Sequence, residues 1–150
     1  MKTISLKNSA FVSVDNTKTF DDKSLNELYV PEGEQAAFIS AKVADICKTY
    51  GVLTVNVFDK HPRGHISFAS SYKNKNPFDF ITLEEVQDWT DDNNGLSEQA
   101  RFTIEQLKVY LENSPQQQNQ VWPDHGKDWT ESINLMPPLS ESDFDIHLIK

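Results

Sequence analysis

The sequence holds a single cysteine, Cys47, in 150 residues, which excludes an internal disulfide and with it the stapled scaffolds of small secreted domains. A reducing compartment suits such a chain, and the cytoplasm is the expected location. Basic residues are also scarce: 14 Lys and Arg face 23 Asp and Glu, for a net charge of −9, and no Lys/Arg-rich run interrupts that balance. Binding DNA or RNA requires a basic footprint that displaces counterions from the phosphates, so no nucleic-acid partner is expected. No stretch reaches the 18 or more apolar residues of a membrane span, and Met1–Ala10 interleaves Lys, Thr, Ser and Asn where an export signal would be apolar. A soluble, unexported protein with no membrane partner is expected. Hydrophobic residues make up 37%, below the roughly 45–50% of an average domain, and the length suits one domain over residues 1–150.

Ala10, Phe11, Val12 and Val14 form a nearly continuous apolar run ending at Asp15, which predicts a strand buried on both faces of a parallel sheet. From Pro31 the pattern becomes helical. Ala37, Phe38, Ala41, Ala44 and Cys47 recur at three- and four-residue spacing, which puts Cys47 on a buried stripe, and Gly51 stands where a left-handed cap ends such a helix. Val52, Leu53, Val55, Val57 and Phe58 then make a second β-branched run that stops at Asp59, completing a right-handed βαβ unit. Farther on, Thr82-Leu83-Glu84-Glu85 has a capping-box pattern, and Ser97 is read as the cap of a longer helix carrying Ala100, Ile104, Leu107 and Leu111. Ser114-Pro115 stops that helix before a Gln tract read as a surface loop, and Phe144, Ile146, Leu148 and Ile149 predict a third strand running into Lys150. The fold class expected is therefore α/β, a Rossmann-like parallel sheet three strands wide.

Ligands of open parallel sheets bind beyond the carboxyl ends of the strands, and the three ends here carry Asp15, Asp59 and Lys150. Asp59 and His61, two apart in an extended segment, project to one side and can share a divalent ion, which His65 can join after the Pro62/Gly64 turn. One carboxylate with two or more imidazoles suits Zn²⁺ or Fe²⁺. Another histidine, His125, follows in Trp122-Pro123-Asp124-His125. Trp122 reads first as a packing residue, although an indole face can also stack on a planar ligand. His147 alternates with Ile146 and Leu148 and reads as structural.

Taken together and in order, Val14-Asp15 with Phe20, Leu28-Tyr29-Val30-Pro31-Glu32-Gly33, Asp59-Lys60-His61-Pro62, His65-Ile66-Ser67-Phe68-Ala69, Asn76-Pro77-Phe78-Asp79 and Val121-Trp122-Pro123-Asp124-His125 resemble the nicotinamidase branch of the isochorismatase-like cysteine hydrolases. The resemblance implies a six-stranded parallel sheet, of which this chain supplies three strands and lacks the C-terminal half, and hydrolysis of nicotinamide to nicotinate and ammonia by a Cys, an Asp and a Lys. It implies Asp15 as general base and Lys150 as the triad lysine. Asp59, His61 and His125 correspond to the metal ligands, and His65 to a position that ligates in some relatives and supports the ligands in others. Phe20 and Trp122 correspond to residues that sandwich the pyridine ring while a divalent ion, Zn²⁺ or Fe²⁺ with Mn²⁺ as a third candidate, orients it. A role in NAD metabolism and pyridine nucleotide salvage follows from the same resemblance.

The chain departs from that family in three places. Thr17 and Thr19 stand where relatives carry Gln and Asp, Gly126 stands where many carry Cys, and the family's nucleophilic cysteine lies beyond the triad lysine. Cys47 cannot replace it, because it belongs to the helix stripe between the first two strands. The expected protein is thus a nicotinamidase-like amide hydrolase lacking its nucleophile and inactive alone, its partners a small amide and either a complementary C-terminal half or a second copy. Hydrolysis of another small amide, and a non-catalytic metal-binding scaffold, are the alternative readings.

Overall fold

A computed structural model describes residues 5–91 and 93–150, so the reading of Met1–Ile4 as part of a polar start lies outside the described residues. The chain forms two compact units, Met1–Lys60 with Asp128–Lys150, and His61–Lys127.

The first unit is built on β1 (Ala10–Val14), β2 (Leu53–Phe58) and a late strand, Ile146–Ile149, in the order β1, β2, late strand, all parallel. Between β1 and β2 run α1 (Lys18–Asp21) and α2 (Gly33–Thr49). The sequence places the strands and α2 within two residues of their ends. Gly51 takes a positive φ of 66° just beyond α2, as the cap reading requires, since a left-handed backbone is nearly free of cost only for glycine.

The helix stripe differs from expectation. Ala37 and Ala44 are fully buried, but Phe38 lies on the outside beneath the Lys42 ammonium, 4.3 Å from the ring centroid, and Cys47 is half-buried. Small residues face the sheet because α2 packs close to it. Ala37 joins Leu139 and Phe144 in a small core against which Phe11 and Ala41 pack. The expectation that β1 is buried on both faces is also corrected: Ser13 is buried, whereas Val12 and Val14 are 50% and 54% exposed. At its start the late strand is pinned by Asp145, whose carboxylate accepts from the Thr54 amide at 2.9 Å and whose amide donates to the Thr54 carbonyl at 2.9 Å.

The second unit contains β3 (Phe80–Thr82), α3 (Leu83–Val86), α4 (Ile104–Glu112) and β4 (Gln118–Gln120), so that the late strand is β5. Its core is Ile81, Val86, Leu96, Ile104, Leu107, Leu111 and Val121 with Ala69 and Tyr72. Thr82 caps α3 as read, its hydroxyl accepting from the Glu85 amide. Ser97 does not cap α4. Thr103 does, in a reciprocal capping box with Gln106, and Ala100 packs against the core from the preceding turn. The Gln tract is not wholly loop either, because Gln118–Gln120 pairs antiparallel with β3. Among the described residues no helix is long and apolar enough to cross a membrane.

Candidate active site

In the first unit the three strand ends converge as the sequence reading places them. The Lys150 ammonium lies 2.8 Å from Asp59 Oδ1 and 3.0 Å from Asp15 Oδ2, joining the ends of β1, β2 and β5 through one cation. Its backbone amide donates to the Phe58 carbonyl, which fixes the side chain's origin. Partial burial works against the lysine's charge, but the hydrogen bonds and negative charges of Asp59 and Asp15 outweigh it and hold its pKa above the ordinary lysine value. The group therefore stays cationic at neutral pH.

Asp15 leaves β1 with a φ of 60°, a conformation a non-glycine residue adopts only when its surroundings enforce it. Here the Asp15 amide donates to the Val57 carbonyl and the Asp15 carbonyl accepts from the Thr17 amide, so the turn is held on both sides. With Oδ2 occupied by Lys150, Asp15 Oδ1 is buried and has no hydrogen-bond partner among the described residues. An oxygen so placed has its lone pairs left for a hydrogen-bond donor.

Asp15 lines a cavity of about 610 Å³ together with Phe20, Asp21, Val30, Glu32 and Ile39. Asp21 is the residue that sequence reasoning missed. It is 4% exposed, and burial, then the charges of Asp15 and Glu34, raise its pKa to about 6. A second acid immediately after Phe20 was the available signal, hidden by its helical context. The neighbouring positions that depart from the family pattern, Thr17 and Thr19, are both fully buried. Asp21 packs so tightly against Gly33 that a side chain there would overlap its carboxylate.

Because Asp21 binds its proton more tightly folded than unfolded, its charge costs stability above about pH 6, and the cost fades as pH falls from 6 toward 3.8. Asp21→Asn is thus expected to stabilise the protein at pH 8 more than at pH 4.5, by at most about 3 kcal/mol for a shift of some two units. Urea unfolding at the two pH values checks this, and an equal effect at both would refute the burial of a charge.

In the second unit four rings cluster. His61 stacks on His65 at 4.5 Å between centroids and meets His125 edge-on at 5.0 Å, while Phe68 closes the group at 5.5–5.8 Å from all three. The backbone explains the meeting, since the His61 amide donates to the Gly126 carbonyl at 2.8 Å. His125 is buried, and its Nδ1 donates to the Pro123 carbonyl at 2.7 Å, which places the neutral ring's lone pair on Nε2. His65 is turned the other way: its Nδ1 accepts from the Ser67 amide at 3.3 Å, which leaves its proton on Nε2. His61 and His125 thus meet within the second unit, and with Asp59, two residues before His61 in the chain, they make a candidate group to hold a metal ion. A carboxylate and two imidazoles, one with its tautomer set by a carbonyl behind it, fit a borderline divalent cation.

Trp122 sits in a braid with the Ser67–Ala69 segment, its amide donating to the Ser67 carbonyl and its carbonyl accepting from the Ala69 amide, and its ring meets Phe78 edge-on at 5.6 Å. His147, read as structural, lies 3.5 Å from Asn56 Nδ2 and edge-on to Phe144. Cys47 lies near the start of β2, its carbonyl accepting from the Val52 amide, whereas Asp59 follows the end of that strand. A six-residue strand spans roughly 20 Å, so the thiol and the acid–lysine rim occupy opposite ends of the sheet.

A three-stranded parallel sheet flanked by helices, with its charged groups gathered at the strands' carboxyl ends, defines an isochorismatase-like α/β fold. No protein-family model matches the sequence, and no curated protein does. Solved nicotinamidases share the fold. The nicotinamidase/pyrazinamidase of Acinetobacter baumannii superposes with a TM-score of 0.64 at 22% identity, over 95% of this chain and 51% of that one. Yeast nicotinamidase superposes with a TM-score of 0.61 at 22% identity, over 94% and 57%, and its complex with the inhibitor nicotinaldehyde gives 0.56 at 23%, over 94% and 56%. The chain spans just over half the length of these structures.

Proposed function

We propose that the chain is the metal-binding, acid–base half of a nicotinamidase-like amide hydrolase, one incomplete isochorismatase-like domain over residues 1–150 whose substrate is nicotinamide or a similar small amide. The observation that supports this most is the position of Lys150, within hydrogen-bond reach of both Asp15 and Asp59 at the ends of three parallel strands. Asp15 Oδ1 accepts the proton of an incoming thiol while Lys150 anchors the opposite oxygen and favours the thiolate. Asp59, His61 and His125 hold the divalent ion, Zn²⁺ or Fe²⁺, and His65 stacks behind His61. When bound, that ion offers a Lewis-acidic point to a pyridine nitrogen. Phe20 and Trp122 supply apolar faces to the ring. A place in pyridine nucleotide salvage, in the cytoplasm, follows.

A non-catalytic metal-binding scaffold is the second reading, favoured by the placement of Cys47 at the far end of the sheet. Both readings require the metal. Protein prepared without chelator is expected to carry about one equivalent of Zn or Fe, and His125→Ala to lower it at least tenfold while His147→Ala leaves it intact. Elemental analysis decides, and equal occupancy in the two variants removes His125 from the ligand set.

A further inference from the structure

Phe78 sits on a backbone that its own side chain opposes. Pro77 and Phe78 are the central residues of a turn closed by the Asp79 amide, which donates to the Asn76 carbonyl at 3.1 Å, and Phe78 has a φ of 76°. A positive φ at the second central position, after a proline, is the pattern of a type II turn, where glycine is the usual residue. For a bulky side chain it is an outlier. Hydrogen bonds on both sides enforce it: the Phe78 amide donates to the Val121 carbonyl at 2.6 Å, and the Gln120 side-chain amide donates to the Phe78 carbonyl at 3.2 Å. The Val121 amide donates in turn to the Asp79 carbonyl at 2.9 Å, and the Asp79 carboxylate accepts from the Asn76 amide at 2.7 Å.

Burial in the core of the second unit does not offset this strain. The Phe78 ring is 52% exposed and is not part of the cluster around Leu107 and Leu111. What it meets is Trp122, at 5.6 Å between centroids and an interplanar angle of 81°. Strained residues persist where their surroundings over-determine them, and they collect at functional sites. Val121, bonded to the turn on both its amide and its carbonyl, is fully buried and directly precedes Trp122, so turn and indole share one anchor. The Trp122 backbone is fixed as well, between Ser67 and Ala69. Rotation about its side-chain bonds is the freedom left to the indole, and a perpendicular ring restricts it.

We propose that Phe78 is a positioning residue, strained so that its ring holds the Trp122 indole in a fixed orientation, preset for a flat heteroaromatic ring such as a pyridine carboxamide. The ligand's identity rests on the hydrolase reading; the positioning rests on the turn and the ring pair. An indole already held loses no rotamer freedom when a ligand arrives.

The test uses the 150-residue chain with its indoles labelled with nitrogen-15, the Trp122 signal being assigned by Trp122→Phe. Phe78→Gly keeps the turn, because glycine adopts this φ freely, and removes the ring. Its melting temperature is expected to be unchanged or raised, while the heteronuclear NOE of the Trp122 indole N–H falls to the values of a mobile group. Phe78→Tyr keeps the ring and is expected to restore the wild-type NOE. Nicotinamide titrated into the zinc-loaded chain should bind Phe78→Gly about three- to tenfold more weakly than wild type, the worth of one aromatic pair. An indole NOE unmoved by Phe78→Gly overturns the proposal, as do equal nicotinamide affinities, or a glycine variant that melts early because the ring serves the fold. Failure of the wild-type chain to bind nicotinamide counts against the hydrolase reading alone, since the indole NOE decides the positioning without ligand.

Discussion

Replacing Lys150 by alanine, in a protein completed with a polypeptide that supplies a nucleophilic thiol, is expected to cut ammonia release from nicotinamide by on the order of 10²–10⁴-fold, and Asp15→Asn to do the same. The lysine bridges Asp15 and Asp59. Without it, Asp15 Oδ2 loses its anchor, the ammonium between the two carboxylates is gone, and so is the cation that would favour a thiolate. Asp15→Asn removes the proton acceptor itself. Cys47→Ala is expected to leave turnover nearly intact, because that thiol lies at the opposite end of β2. The 150-residue chain alone should release no ammonia above background. Robust turnover by the short chain, abolished by Cys47→Ala, would falsify both the assignment of the rim and the structural role of Cys47.

The largest stability effect is expected at Gly64. Its φ is +63°, and a Cβ there would run into the carbonyl oxygen of Gln99, a backbone atom that cannot swing aside, with Arg101 Cγ also crowded. The Gly64 carbonyl in turn accepts from the Arg101 amide, so the turn and the 99–101 segment cannot separate without losing that bond. Gly64→Ala combines a left-handed backbone with overpacking, and at least about 3 kcal/mol should be lost. Gly64 stands between His61 and His65, so the ring cluster is expected to loosen with it. Thermal unfolding should show a drop of roughly 10 °C or more, with lower metal content, while Gly51→Ala, whose Cβ meets nothing within 4 Å, costs only the backbone strain of about 1 kcal/mol. Equal melting of the two variants would show that the Gly64 turn yields.

What was legible in the sequence was whatever a long period or a strong stop signal wrote into it. β1, α2, β2 and β5 end at Asp15, Gly51, Asp59 and Lys150, and three of those endpoints are the charged groups that meet at the rim. The hairpin of β3 and β4 was not legible, because a three-residue strand of Gln118, Asn119 and Gln120 has neither alternation nor apolar content and is held by pairing alone. Ser97 was read as the cap because Ala100 lies four residues before Ile104 and extends the stripe on paper, whereas Thr103 takes that place. The real cap won through its reciprocal bond with Gln106. Both faces of β1 are apolar enough to read as buried, yet one is open, a fact about the rest of the sheet that no local pattern carries. Asp21 was missed because a lone acid in a four-residue helix looks like a solvated residue until its neighbours are known.

The meeting of the His61 amide with the Gly126 carbonyl also bears on how the chain acquires its shape. Residues 61–127 are an uninterrupted stretch with its own core, whereas the first unit is assembled from two separate pieces of chain. During synthesis β1, α2 and β2 therefore emerge early but wait for β5, with the far edge of β2 open until Ile146–Ile149 arrive. A stretch whose two ends already touch shortens that wait. Once it has folded, the connection from β2 to β5 falls from roughly 90 loose residues to roughly 20, which lowers the closure entropy by about 1 kcal/mol. The backbone bond that seats His61 beside His125 thus acts as the knot at the neck of a long loop, and the order of folding it favours is the inserted stretch first and the parallel sheet last.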